Sequence, residues 1–172
     1  MTALIDPITV GNVDRTVRHM RTLFEFPNKH HRIIYVCAEA GPRPLFYDRD
    51  DCTLTGFFPP EEGKTEWYQI SCTVPSHLPN VSSAVRDFTM VWGYRFEPFE
   101  DSATNSIHCR ATLISQTEAA GWLPKPIVNM AVPHVLSDYM RNLEKYLIEL
   151  IKRGAPARQL VESFGLTLPL NN

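Results

Sequence analysis

The pattern of apolar and polar positions predicts strands through the middle of the chain. Short runs rich in β-branched and aromatic residues alternate with polar positions, which is typical of half-buried strands. Clusters of proline, glycine and acidic residues separate these runs and indicate turns. The predicted strands cover residues 33–38, 52–58, 66–74, 88–99 and 107–117. In the 88–99 strand, every second position is a large apolar residue (Phe88, Met90, Trp92, Tyr94 and Phe96), so we expect these five side chains to share one face.

Two segments show the spacing of an amphipathic helix. In residues 13–24 the apolar side chains recur at Val13, Val17, Met20 and Phe24, which predicts a short helix. In residues 127–153 a longer stripe of apolar residues recurs at steps of three and four, which predicts a helix about 40 Å long. The stripe comprises Val132, Leu136, Tyr139, Leu143, Tyr146, Leu147 and Leu150. The proline-containing segment 75–86 has no apolar period and is predicted to be a loop.

These elements predict an α+β fold in which an antiparallel sheet wraps around one long C-terminal helix. The strands follow one another through turns rather than helices, and such connections favour antiparallel pairing. The chain has 172 residues, which fits one domain. We expect this domain to cover residues 1–154, with a short helix or tail over residues 155–172.

The composition and motifs of the chain argue against several classes of function. The formal net charge of −2 leaves no basic footprint for nucleic acid. The four cysteines and six histidines show no spacing typical of a metal site, and no nucleophile motif or glycine-rich phosphate loop occurs. We therefore expect no catalytic residues, no metal and no cofactor. The N-terminus does not resemble a signal peptide, and no run is long enough to span a membrane, so we expect a soluble, cytoplasmic protein.

Segment 121–129, Gly-Trp-Leu-Pro-Lys-Pro-Ile-Val-Asn, resembles the entrance to the C-terminal helix of START (StAR-related lipid-transfer) domains. Three further matches occur in the same order: Ile34-Tyr35, Arg49-Asp50 and the proline-bearing loop that ends in Val85-Arg86. The resemblance implies a helix-grip fold with a hydrophobic tunnel for one lipid beneath the long helix. START domains have more residues before these motifs than this chain supplies, so the resemblance implies a shortened N-terminal part. Sterol-binding members carry an arginine where this chain has Thr55, so we expect a phospholipid or another amphiphile rather than a sterol.

The resemblance and the residue types together give ten candidate lipid-contacting residues. Arg86 and Arg110 can meet a polar head group, although Arg86 can instead pair with Asp87 or Glu97, and Arg110 can face solvent. The aromatic candidates can line a cavity or form ordinary core. The ten residues are Tyr35, Trp67, Tyr68, Arg86, Trp92, Tyr94, Arg110, Trp122, Met130 and Tyr139.

The sequence thus predicts a non-catalytic protein that binds one lipid, with transfer between membranes or lipid sensing as its role. Transient membrane contact is expected during lipid exchange, with the 75–86 loop and Gly121 as candidate moving parts. The alternative is a protein-interaction module on the same scaffold, in which a protein partner takes the place of lipid cargo. A catalytic relative with the same architecture is the weakest of the three hypotheses.

Overall fold

The computed structural model describes residues 13–28, 30–39, 47–75, 84–103, 105–118 and 124–153. Seven strands and one helix lie in these ranges. The strands are β1 (Val17–Glu25), β2 (His31–Ala38), β3 (Asp48–Phe58), β4 (Trp67–Thr73), β5 (Ala84–Arg86), β6 (Phe88–Asp101) and β7 (Ser106–Glu118), and the helix is α1 (Lys125–Lys152).

The strands form one sheet in the order β1-β2-β3-β4-β6-β7, and every neighbour along this path is antiparallel. The short strand β5 lies outside the path and pairs with the first half of β3 in the parallel direction. The predicted meander of antiparallel strands and the long C-terminal helix are therefore confirmed. The predicted loop 75–86 ends in β5, whereas residues 76–83 lie outside the described ranges.

The predicted helix over residues 13–24 is wrong, because strand β1 occupies most of that segment. Val17, Met20 and Leu23 are the partly buried apolar residues of β1, and they stand three residues apart. Register shifts between Val17 and His19 and between Thr22 and Phe24 insert an extra residue at two points. Each bulge turns the strand period of two into a local step of three, which imitates the spacing of a helix.

A bulge in β6 explains why only some of the five side chains predicted to share one face of this strand do so. Thr89 pairs with Thr117 and Val91 pairs with Gln116, so Met90 is the extra residue. From Trp92 onward the even positions face the helix, as predicted. Phe88 and Met90 remain 48% and 47% exposed, and the Thr89 N–H instead donates to the Thr73 hydroxyl at 2.7 Å.

The two sides of the sheet bury different clusters. We call the side that contacts α1 the inner face and the other side the outer face. The inner face carries an aromatic cluster on β6 and a smaller group around Ile34 and Phe57. The outer face carries a cluster around Tyr35, Cys37 and Cys52, and Ala84 of β5 packs against it. The long helix therefore covers only one of the sheet's two apolar surfaces.

Candidate functional site

The second half of α1 packs tightly on the inner face. Leu143 is 2% exposed and lies against Tyr94 and Phe96 of β6. The ring of Tyr139 meets the ring of Trp92 edge-on, with 5.8 Å between centroids and an interplanar angle of 88°. Edge-to-face pairs of this kind add about 0.5–1.5 kcal/mol to the gain from burial. This half of the helix is therefore anchored core.

The two tyrosine hydroxyls of this cluster are held in an apolar environment. Burial raises the pKa of Tyr94 far above its ordinary value, and the neighbouring Tyr139 reinforces the shift. Burial also raises the pKa of Tyr139. Both phenols therefore stay neutral at physiological pH, where they can donate or accept hydrogen bonds but do not release a proton.

The first half of α1 continues the same apolar stripe without the same burial. At 100° per residue, Val128, Val132 and Val135 lie within about 40° of Tyr139, on the side that faces the sheet. Nevertheless, Val132 is 41% exposed and Val135 is 57% exposed. The helix therefore leaves Val132 and Val135 exposed on the side that faces the sheet, without the close packing that Leu143 has.

Pro133 lies between the two halves of the helix. Because proline has no backbone N–H, the hydrogen bond from residue 133 to the carbonyl of Asn129 is missing. The Ser137 hydroxyl donates to the Pro133 carbonyl at 2.8 Å one turn later. The first two turns are thus held less firmly to the rest of the helix than an uninterrupted ladder would hold them.

The inner face of β3 and β4 is polar. Thr55 and Ser71 stand opposite each other, and their hydroxyl oxygens lie 2.8 Å apart. Both residues are buried, at 3% and 6% exposure. One step further along, the Thr73 hydroxyl donates to Asp51 Oδ2 at 2.7 Å. A row of buried hydroxyl groups therefore runs across the sheet, beside the aromatic cluster.

Two acceptors in this row have hydrogen-bonding capacity left over. Asp51 is 8% exposed and Gln69 is 5% exposed. Asp51 Oδ1 and Gln69 Oε1 are buried and have no donor at normal hydrogen-bond geometry within the described part of the chain. Burial raises the pKa of the Asp51 carboxyl, and the hydrogen bonds from Thr73 and the nearby Thr89 oppose this shift. Buried acceptors of this kind are rare in folded proteins, and a ligand or an ordered water can supply the missing donor.

Four of the ten predicted site residues lie together beneath the helix. Trp67, Trp92 and Tyr94 project from the inner face, and Tyr139 projects toward them from α1. Each of the four contacts other protein side chains in the aromatic cluster. The candidates on β4 and β6 thus lie on the inner face. Their rings pack against the second, buried half of the helix rather than against its exposed first half.

Tyr35 and Arg86 lie on the outer face instead. Asp50, whose side chain is fully buried, accepts a hydrogen bond from the Tyr35 hydroxyl at 2.9 Å. The same carboxylate accepts two bonds from Arg86, from Nε at 2.8 Å and Nη2 at 3.2 Å. Arg86 therefore forms a structural ion pair, with Asp50 rather than with Asp87 or Glu97. This pair fastens β5 to β3, on the side of the sheet away from α1.

The remaining candidates are also apart from the aromatic cluster. Tyr68 and Arg110 belong to the outer face, where Arg110 lies over the ring of Phe99 at 5.2 Å. Met130 is 68% exposed and lies half a turn away from Tyr139, on the solvent side of α1. Trp122 lies outside the described residues. The strand side chains that the sequence did not single out are Asp51, Gln69 and Ser71, and only the strand register places them on the inner face. Val135 of α1 was not singled out either, and the helical period places it on the same side of the helix as Tyr139.

The described residues form no group of three or more histidine, cysteine, aspartate or glutamate side chains that could hold a metal ion. Within the same ranges, no helix is both long and apolar enough to cross a lipid bilayer. The inner face is therefore a surface of aromatic rings, hydroxyls and two open acceptors under a partly exposed helix. Such a surface offers both apolar and hydrogen-bonding contacts to a ligand.

A sheet that grips one long C-terminal helix defines the helix-grip class of folds. Neither the family models nor the curated proteins contain a match to this sequence. Among solved structures, human STARD10 matches with a TM-score of 0.70 and 19% identity, covering 98% of this chain and 66% of its own. Human StAR-related lipid transfer protein 5 matches with a TM-score of 0.68 and 18% identity, covering 81% and 64%. A STAR-related lipid transfer protein fragment from Xanthomonas axonopodis matches with a TM-score of 0.62 and 16% identity. This match covers 84% of the present chain and 75% of the fragment.

The chain therefore has the fold of StAR-related lipid transfer domains, and the resemblance seen in the sequence is confirmed at the level of the fold. It spans about two thirds of the length of the two human structures. Identities below one fifth leave the ligand of this chain to be argued from its own residues.

Proposed function

We propose that this protein binds a single lipid, without converting it chemically, between the first half of α1 and the inner face of the sheet. The observation that carries the proposal is the apolar stripe of the helix. Val132 and Val135 continue the line of Tyr139 and Leu143, yet they are exposed on the side facing the sheet. An acyl chain laid along this stripe would cover them, and each methylene removed from water contributes about 0.8 kcal/mol.

The lipid enters and leaves while the first half of α1 touches a membrane. Ile127 is 44% exposed and Met130 is 68% exposed, and both lie off the sheet-facing stripe. Large apolar side chains at the start of a helix favour contact with the bilayer interface. The missing hydrogen bond at Pro133 lets this segment tilt away from the sheet. The role that follows is transfer of a lipid between membranes, or presentation of that lipid to a partner.

Native mass spectrometry of the protein purified from cells tests the proposal. We expect one lipid per chain, identified after denaturation of the same sample. The Val135→Asp variant places a charge on the exposed stripe and should lose most of the bound lipid. Ile148→Asp is the matched control, because Ile148 is also exposed, at 44%, but lies on the opposite side of α1. Absence of lipid from the wild-type protein, or equal loss in both variants, would contradict the proposal.

A protein-interaction role is the second candidate. The outer face exposes a group of large apolar side chains around Gly93, where Ile70 and Ile114 are 42% and 61% exposed. Exposed apolar patches of this kind often mark contact sites for other proteins. If this role replaces lipid binding, the purified chain should carry no lipid, and Ile114→Asp should abolish co-purification of a partner that the wild-type chain retains.

A further inference from the structure

The chemistry around Asp51 indicates which end of a lipid the inner face selects. Asp51 and Asp50 are neighbours in β3, so their side chains point to opposite faces of the sheet. Asp50 is neutralised by Arg86, whereas Asp51 faces the inner side and accepts a hydrogen bond from Thr73 through one oxygen. Its other oxygen, Oδ1, is buried and has no donor at normal geometry within the described ranges.

Two of the described cations on this part of the sheet are engaged elsewhere, and the third, Arg49, keeps one open N–H beside Asp51. Arg86 lowers the pKa of Asp51 through its charge, but its own hydrogen bonds go to Asp50 on the outer face. Arg32 pairs with Glu25 at 3.3 Å. An anionic phosphate placed at Asp51 would therefore meet a carboxylate of the same charge in a poorly solvated place, which is strongly unfavourable.

A neighbouring donor favours a group that both donates and accepts. Arg49 precedes Asp51 by two residues and so belongs to the same face. Its Nη1 donates to the Tyr47 carbonyl at 3.1 Å, while its buried Nε–H has no acceptor at normal geometry in the described chain. A hydroxyl next to an ester or amide can donate to Asp51 and offer a carbonyl oxygen to such an N–H. An ionised phosphate can only accept.

We infer that this site, if the protein is the lipid binder proposed above, selects an uncharged lipid whose head carries a hydroxyl group beside a carbonyl oxygen, with the hydroxyl donating to Asp51 Oδ1. Diacylglycerol has this chemistry, and phosphatidic acid with the same acyl chains replaces the hydroxyl by an anionic phosphate. The two lipids therefore differ only at the group that Asp51 would contact.

The test is extraction from phosphatidylcholine vesicles doped with equal amounts of labelled diacylglycerol or labelled phosphatidic acid. We expect the wild-type protein to extract diacylglycerol about tenfold better, the factor that about 1.4 kcal/mol provides. Asp51→Asn keeps an oxygen for Thr73 and places an amide donor where the open acceptor was, so the preference should fall to near unity. Asp138→Asn is the control, because Asp138 is exposed and its ion pair with Arg141 lies on the surface of α1.

The outcomes separate this inference from the function on which it rests. Extraction of both lipids at equal rates, or an unchanged preference in Asp51→Asn, overturns the role of Asp51 and leaves lipid binding standing. No extraction of any lipid, including phosphatidylcholine, overturns both. Thermal unfolding of Asp51→Asn verifies that the variant is folded, and Asp51→Leu, which removes both acceptors, should lose the preference for diacylglycerol in the same way.

Discussion

Removing Arg86 should destabilise the fold more than removing any other charged side chain described here. The Arg86 guanidinium donates two hydrogen bonds to Asp50, and the Asp50 side chain has no solvent exposure. In Arg86→Leu the carboxylate stays buried while its charged partner is lost. Breaking a buried pair in this way costs about 3–5 kcal/mol. Because the Arg86 side chain is itself 25% exposed, water can partly replace it, and we expect a value near the lower end, about 3 kcal/mol.

Urea unfolding, monitored by tryptophan fluorescence, measures this loss in the free energy of unfolding. A domain of this size has a free energy of unfolding of about 5–15 kcal/mol, so a loss of about 3 kcal/mol shifts the midpoint visibly. Adding Asp50→Asn to Arg86→Leu should restore part of the stability, because the buried charge is then gone. Arg86→Lys should fall between the wild type and Arg86→Leu, since lysine cannot reproduce the two-pronged contact. A loss below about 1 kcal/mol, or no recovery in the double variant, would refute the reasoning.

Three further predictions concern the inner face. Leu143→Ala should lower the free energy of unfolding by about 3 kcal/mol in the same urea assay, because Leu143 is 2% exposed between helix and sheet. Thr55→Val should cost about 1–2 kcal/mol by stranding the Ser71 hydroxyl, and adding Ser71→Ala should recover part of that loss in a double-mutant cycle. Burial raises the pKa of Asp51, so the folded protein holds that proton more tightly than the unfolded chain, and stability is lost as pH rises through the folded pKa. Asp51→Asn should therefore be more stable than the wild type at pH 7, and thermal melts should show this difference shrink as the pH falls and Asp51 becomes protonated in both the folded and the unfolded state.

The long helix and most strands could be predicted because their periods are locally unbroken. The stripe through Tyr139 and Leu143 keeps its spacing of three and four over many turns, and only a helix satisfies it. Strand β1 could not be predicted in the same way, because its bulges are set by pairing with β2 rather than by its own residues. The partner strand decides where an extra residue is accommodated, so the 17–25 segment carries a helical spacing without a helical fold.

The candidate site was harder to predict than the fold because it depends on register. Trp92 and Tyr94 share the inner face because both lie downstream of the bulge in β6, and their role as lipid contacts stays a prediction. The ion pair of Arg86 with Asp50 could not be predicted, because the parallel pairing between β3 and β5 is what brings the two residues together. No local pattern in the sequence predicts a strand as short as β5, which has three residues. Met130 follows the helix period correctly once Tyr139 is known to face the sheet, and it then points to solvent.

The pair Asp50-Asp51 shows why burial and compensation must be considered together. Two adjacent acidic residues at the head of a strand are typical of a solvated turn, yet both are buried here, at 1% and 8% exposure. Alternation sends one to each face of the sheet. On the outer face, Arg86 and Tyr35 meet the charge of Asp50, so that carboxylate is explained by the fold itself. On the inner face, hydroxyl groups meet only part of the hydrogen-bonding capacity of Asp51, so the fold alone does not explain why a carboxylate is kept there. Burying a carboxylate with an open acceptor costs free energy that the fold does not recover. Such a cost is expected where a ligand completes the site, and this is the reason to look for the lipid head group at Asp51.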